Sequence, residues 1–335
     1  MTEKSERKLT FLQAIAEAVT SEMRRDPLVF TMGQDIRSGV YGDYQIEEFG
    51  ERVRNLPISE AANAGAAVGA ALAGMRPVLD FSISTFLYSG MDQVVNQAAK
   101  SRYLFGGQAK VPLTIRAVLF YGGSQAAHHA DRPWPMFMGV PGLKIVVPST
   151  PYDVKGLLIA AIREDDPVIC FEDANLWGTR GVVPEESYAI PLGKADVKRE
   201  GDDVTVVAIA GAVRHALTAA AELAKEGVSV EVVDPRSLVP MDWDTIFGSV
   251  DKTRRLVIAD PAVRTCSAAS EIAATVSEER FDSLLAPVRR VTVADILIPF
   301  SPVLEREVLV KPADIVAGIR RVLEPATVAG TRLPG

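Results

Sequence analysis

The chain has 335 residues, 48% hydrophobic and 24% charged, which is enough to bury two ordinary soluble cores. Its 36 lysines and arginines stand against 43 aspartates and glutamates, and the net charge of -7 excludes a surface built for nucleic acid. Cys170 and Cys266 lie too far apart for a disulfide framework or a zinc site, charges break every apolar run before bilayer length, and no signal-peptide pattern opens the chain, so a cytoplasmic protein with no membrane contact is expected.

A charged start of about eight residues is expected to be solvated, and helical periodicity then runs over 9–24, ahead of an apolar run at 28–32. Next come Leu56-Pro57-Ile58-Ser59-Glu60 and a helix of almost nothing but small residues, AANAGAAVGAALAG. Between 61 and 74 only Asn63, Val68 and Leu72 exceed alanine or glycine in size. Such a helix fills no core with side chains; with Gly65 and Gly69 on one face it lets another backbone come close. A carboxylate at its mouth, Glu60, marks a place where two structural units meet around a cofactor.

A strand is predicted over 77–83, an amphipathic helix over 88–104 and a β-type run over 111–120. A loop rich in glycine, histidine and proline, YGGSQAAHHADRPWP, follows from Tyr121 towards Gly142. Then come a short apolar strand over 143–147, a helix from Thr150-Pro151 to Arg163 and a buried strand over 167–171. Periodicity fades over 175–202. It resumes with strands over 204–210, 228–233, 255–259 and 288–293, and helices over 214–226, 241–250, 266–280 and 313–323. Strands alternating with helices imply right-handed βαβ units, hence an α/β chain with a mostly parallel sheet in each of two domains. We place these at 1–185 and 204–330, joined by a linker over 186–203.

Three devices for binding phosphates or activating a nucleophile are missing: G-x-G-x-x-G after a strand, G-x-x-x-x-G-K-[ST], and the G-x-S-x-G elbow. No Gly-Asp-Gly with a downstream asparagine offers a magnesium-diphosphate site either. Of the three histidines, His215 sits among alanines and reads as helix packing. His128 and His129 follow a buried strand, where α/β sheets place their ligands, and one imidazole there can serve as acid or base as readily as it can serve a loop hydrogen bond.

The runs PISEAANAGAAVGAALAGMRPVLDF, DQVVNQAAKSRYLFGGQAKVPLTIR and HHADRPWPMFMGVPGLKIVVPSTPYDVKGLLIAAIREDDPVICFED carry a specific resemblance. They resemble the β subunit of the thiamin diphosphate-dependent decarboxylating component of 2-oxoacid dehydrogenases, of pyruvate, branched-chain and acetoin type. PLGKADVKREGDDVTVVAIA, VDPRSLVPMDWDTI and RRVTVADILIPF are similar to its transketolase-type C-terminal domain, so the likeness spans roughly 8–325. The resemblance implies a pyrimidine-type cofactor-binding domain followed by a transketolase C-terminal-like domain. It implies an α subunit that brings Mg²⁺ and the diphosphate contacts, an α2β2 heterotetramer, and a lipoyl-bearing acyltransferase core as acyl acceptor. The missing phosphate loop then belongs to the partner, and the small-residue helix packs subunits together.

By the same resemblance Glu60 binds the N1′ nitrogen of the aminopyrimidine and favours its imino tautomer, Phe86 stacks on that ring, and Tyr88 and Ser89 line the pocket. His129 matches the histidine that orients the acyl acceptor or stabilises a charged intermediate. Ala161, Glu164 and Asp166 correspond to a potassium site in some members, built mainly of carbonyl oxygens; an ordinary helix-to-strand turn is the alternative. Two departures stand out. The family usually reads His-Ser-Gln after the loop histidine, where this chain has His129-Ala130-Asp131, and Arg264-Thr265 stands where some members carry Arg-His. These departures leave two other functions open: a split transketolase-like enzyme with a different acceptor, and a non-catalytic assembly paralogue.

Overall fold

The computed structural model describes residues 7–36 and 42–324. The first six residues, 37–41 and everything after 324 lie outside the described residues, and with them most of the expected solvated start and the last residues of the second domain. Among the described residues fourteen strands are formed: β1 Lys8–Thr10, β2 Val29–Gly33, β3 Val53–Asn55, β4 Arg76–Ile83, β5 Thr114–Leu119, β6 Lys144–Val146, β7 Val168–Asp173, β8 Arg180–Val182, β9 Asp196–Arg199, β10 Val204–Ala208, β11 Val230–Asp234, β12 Ser237–Val239, β13 Leu256–Val263 and β14 Arg289–Val293. The first large sheet has the order β12-β6-β7-β5-β4-β2-β3 and the second β14-β13-β10-β11-β9. Both are parallel except at one edge each, where β12 and β9 run antiparallel to their neighbours. β1 and β8 form a separate antiparallel pair.

The parallel arrangement follows from composition. Every residue of β5, β7, β10 and β11 is buried, as strands covered by helices on both faces require. Helix Phe11–Arg25 starts where Thr10 and Gln13 close a capping box, and it packs on helix Pro151–Arg163, itself capped by Thr150. One apolar cluster runs through both halves, from Phe30 and Ile115 through Trp134 and Phe171 to Ile209, Ile258 and Val276. Among the described residues no helix is long and apolar enough to cross a membrane.

Two of the differences from the sequence expectation have a plain physical cause. Within the expected helix over 88–104, a 3₁₀ turn Ser84–Tyr88 comes first and a π-helical stretch Gln93–Ala98 precedes the α-helical turn Ala99–Leu104. The chain is drawn in tightly just before the wide turn: a Cβ on Gly90 would lie 2.9 Å from the Phe81 ring. Within the expected linker, β9 is a true edge strand. Its charged side chains hid it, and they are spent on partners: Lys198 pairs with Asp153 and Asp196 at 2.6 and 2.7 Å, and Arg236 reaches both at 2.6 and 2.9 Å.

Candidate functional site

Glu60 is the first residue of helix Glu60–Leu72 and is half-buried. The helix opens at the carboxyl ends of β2 and β4, the position where open α/β sheets hold ligands. Those two strands come close because residue 33 is glycine: a Cβ there would lie 2.5 Å from the Asp80 carbonyl oxygen. Glu60 faces a recess lined by Gln34, Asn63, Leu79, Asp80 and Phe81, with about 10 Å³ of free space. That is room for about one water, so the recess is one wall of a site and cannot enclose a heterocycle by itself. The Gln34 Oε1 is buried and lacks a hydrogen-bond partner among the described residues.

The helix buries Asn63, Ala64, Ala67, Val68 and Ala71 and leaves Ala61, Ala62, Gly65, Ala66 and Gly69 exposed. No atom outside the helix would come within 4 Å of a Cβ on Gly69. The small-residue face thus lies open beside Glu60, as close packing against a second chain requires.

Beneath the recess, three adjacent strands carry a buried ionic group. Arg116 on β5 donates to both oxygens of Glu172 on β7, at 2.6 and 2.7 Å, and to Asp80 on β4 at 2.7 Å. Arg116 and Glu172 are fully buried. Burial raises the Glu172 carboxyl above its usual range, although Arg116 opposes that. This group was missed in the sequence, where the signal was a charged residue inside each of three largely apolar strands.

β4 ends at a strained residue, Ser82 with φ of 61°, and the 3₁₀ turn that follows meets the histidine loop. Phe86 and His129 stand edge to face, their ring centroids 5.5 Å apart. Thr85 Oγ1 donates to the His128 carbonyl at 2.5 Å and Ser84 Oγ to the Asp131 carbonyl at 3.2 Å. The Tyr88 hydroxyl donates to Asp131 Oδ2 at 3.3 Å. Burial and then the Asp131 charge hold that phenol well above its ordinary pKa, so it remains a donor at neutral pH. His129 Nδ1 is buried without a partner among the described residues.

The structure thus brings Phe86, Tyr88 and His129 together, with Asp131 added. Ser89 is exposed, and its backbone N–H donates to the Phe86 carbonyl at 3.0 Å. His215, read as packing, lies far along the chain on helix Ala212–Leu223. A cavity of about 580 Å³ opens between the two halves, lined by Tyr88, Asp131, Met136, Thr265, Cys266 and Asp295 among others. Thr265 donates to Asp295 from its backbone N–H at 2.9 Å and from its hydroxyl at 2.6 Å. Both departures from the family pattern, at 131 and 265, therefore line one cavity.

Around Ala161, Glu164 and Asp166 the turn's oxygens are already served by cationic side chains. Arg76 donates to the carbonyls of Ile162 and Glu164 at 3.1 and 2.9 Å and to Asp165 at 2.7 Å. Glu164 pairs with Lys144 at 2.9 Å, and Asp166 pairs with Arg102. The Ala161 carbonyl accepts from the Glu164 N–H at 3.2 Å. This arrangement is an arginine-bound turn in which each of these carbonyl oxygens keeps a second lone pair. Among the described residues no cluster of three or more His, Cys, Asp or Glu gathers in a metal-binding arrangement.

Comparison with known proteins agrees with the two-domain fold. Residues 7–178 match the family model "Transketolase, pyrimidine binding domain" and 193–315 match "Transketolase, C-terminal domain". The chain is 46% identical to the acetoin:2,6-dichlorophenolindophenol oxidoreductase subunit beta of Bacillus subtilis, over 96% of this chain and 99% of that protein. It is 41% identical to the pyruvate dehydrogenase E1 component subunit beta of the same organism, over 94% and 99%. A solved structure described as "Split gene transketolase, inactive beta4 tetramer" superimposes with a TM-score of 0.80 at 24% identity, covering 94% of this chain and 98% of that one, a likeness of fold.

Proposed function

This chain belongs to the transketolase-like β subunits of the 2-oxoacid and acetoin dehydrogenase type, and from that premise we propose that it is one half of a thiamin diphosphate site completed by an α subunit. The observation that carries the proposal is the Glu60 recess: a carboxylate, an unpartnered buried amide oxygen and almost no enclosed volume, beside an exposed small-residue face. That face supports docking of the α subunit in an α2β2 assembly working in the cytoplasm. Mg²⁺ and the diphosphate fall to the partner; a potassium ion at the turn of Ala161, Glu164 and Asp166 would share the Glu164 carbonyl with Arg76.

When bound, the cofactor would supply a nucleophilic carbon and an electron sink for cleavage of the carbon–carbon bond next to a ketone. The chain's residues prepare that chemistry. Glu60 offers a carboxyl group to the N1′ atom and holds the proton there, which sets the tautomer of the neighbouring amino group. Phe86, half-buried, presents a flat apolar surface to the ring; such contacts contribute about 1 kcal/mol. His129, with Nδ1 unpartnered, holds or passes a proton at the acyl acceptor, which we assign to a lipoyl group on an acyltransferase core.

The donor in the main reading is a 2-oxoacid, which releases carbon dioxide. The 46% relative named for acetoin favours acetoin as a second reading, in which the same bond cleavage releases acetaldehyde. The test is turnover of this chain co-purified with its α partner, thiamin diphosphate, Mg²⁺ and oxidised lipoamide, with pyruvate, branched 2-oxoacids and acetoin offered in turn. Carbon dioxide from a 2-oxoacid is expected. Acetaldehyde from acetoin alone selects the second reading, and no product from any donor contradicts both.

A further inference from the structure

The loop that carries His129 is held from both halves of the chain. At its start, the Tyr121 hydroxyl donates to Asp173, and Asn175 Nδ2 donates to the Tyr121 carbonyl at 3.0 Å. At its end, Arg132 donates to the Pro261 carbonyl at 2.6 Å and to the Ala130 carbonyl, and its guanidinium lies over the Tyr121 ring. Between these anchors, Gly122 and Ser124 have φ of 79° and 57°, a backbone that would not hold itself. Their N–H groups both point at one residue. Gly122 donates to Glu305 Oε1 and Ser124 to Glu305 Oε2, each at 2.8 Å. Glu305 is 2% exposed and sits on helix Pro302–Val308, beyond the last strand of the second sheet.

A bidentate carboxylate on two backbone donors is a charge-assisted clamp, and here it fixes a turn in the left-handed region. His129 follows five residues after Ser124, and its Nδ1 makes no bond that would hold the ring from within the chain. Its position therefore depends on the backbone of this loop and on the Phe86 contact. We infer that Glu305 is a positioning residue for the reaction: its carboxylate orders the 121–131 loop and so sets His129 against Phe86 at the cofactor site. The inference rests on the thiamin diphosphate reading for its catalytic consequence and on geometry alone for the ordering of the loop.

Two measurements separate these. Hydrogen exchange on the αβ pair reads the loop directly. Glu305→Ala is expected to speed exchange in the peptide over 121–131 and to leave the strands of the first sheet protected. Kinetics on the same protein should show kcat for acyl transfer down roughly 10- to 100-fold, as misplacing a catalytic group does. The affinity for thiamin diphosphate should stay within about twofold, because Glu60 and Phe86 are not on the loop. Glu305→Gln keeps one acceptor and should recover part of both losses. Unchanged exchange over 121–131 overturns the inference, and so does a loosened loop with native kcat. If the native pair shows no turnover, the functional reading falls; the exchange result then still decides whether Glu305 orders the loop.

Discussion

Glu60→Gln in the αβ pair should lower turnover roughly 10²- to 10³-fold while leaving the fold intact, within the range that a positioned acid–base group contributes. The amide matches the carboxylate in shape but cannot give a proton to or take one from the N1′ atom, so the neighbouring amino group is left in the wrong tautomer. Cofactor affinity should weaken by about 1.5–3 kcal/mol, the scale of a hydrogen bond to a charged group. Stability should change little. Glu60 is half-buried at a helix start, and the loss of its charge from the N-terminus costs about 0.3–1 kcal/mol. Steady-state kinetics of the variant pair checks this, and near-native turnover would remove Glu60 from the site.

The largest stability effect should come from Arg116→Met. Removing a buried guanidinium strands the fully buried Glu172 and takes a partner from Asp80, and breaking such a group costs about 3–5 kcal/mol. The loss has a pH signature. The Glu172 carboxyl already sits above its ordinary range through burial, and without Arg116 it rises further. A carboxyl raised in the folded state contributes stability that is present below its unfolded pKa and is lost as pH rises through the folded value. The deficit should therefore be larger at pH 8 than at pH 5. Denaturant midpoints at the two pH values measure it, and a deficit that is equal at both would mean that Glu172 is not the group left exposed to the mutation. Arg116→Met combined with Glu172→Leu should recover much of the stability, since neither charge is then left buried alone.

Much of this site was legible in one dimension. Glu60 opens a helix of small residues, and one face of that helix is exposed in the structure, as the sequence implied. The buried strands β5, β7, β10 and β11 appear as short apolar runs because both of their faces are covered. What stayed hidden depends on residues far apart in the chain. The Glu305 clamp joins residues 183 and 181 positions away, and nothing in Pro302–Val308 announces it. The turn at Ala161 to Asp166 offers carbonyl oxygens, and two of that turn's carbonyls are reached by Arg76 from separations of 86 and 88 residues. β9 failed the alternation test because its charges answer to Asp153 and Arg236, side chains on other elements.

The central claim is that this chain holds half of a cofactor site. Isothermal titration of thiamin diphosphate with Mg²⁺ into the αβ pair, and separately into this chain alone, tests it most directly. The account predicts saturable binding by the pair and none by the single chain, whose Glu60 recess encloses only about 10 Å³. Tight binding by the chain alone would mean that it carries its own diphosphate site, and the shared-site account would be wrong.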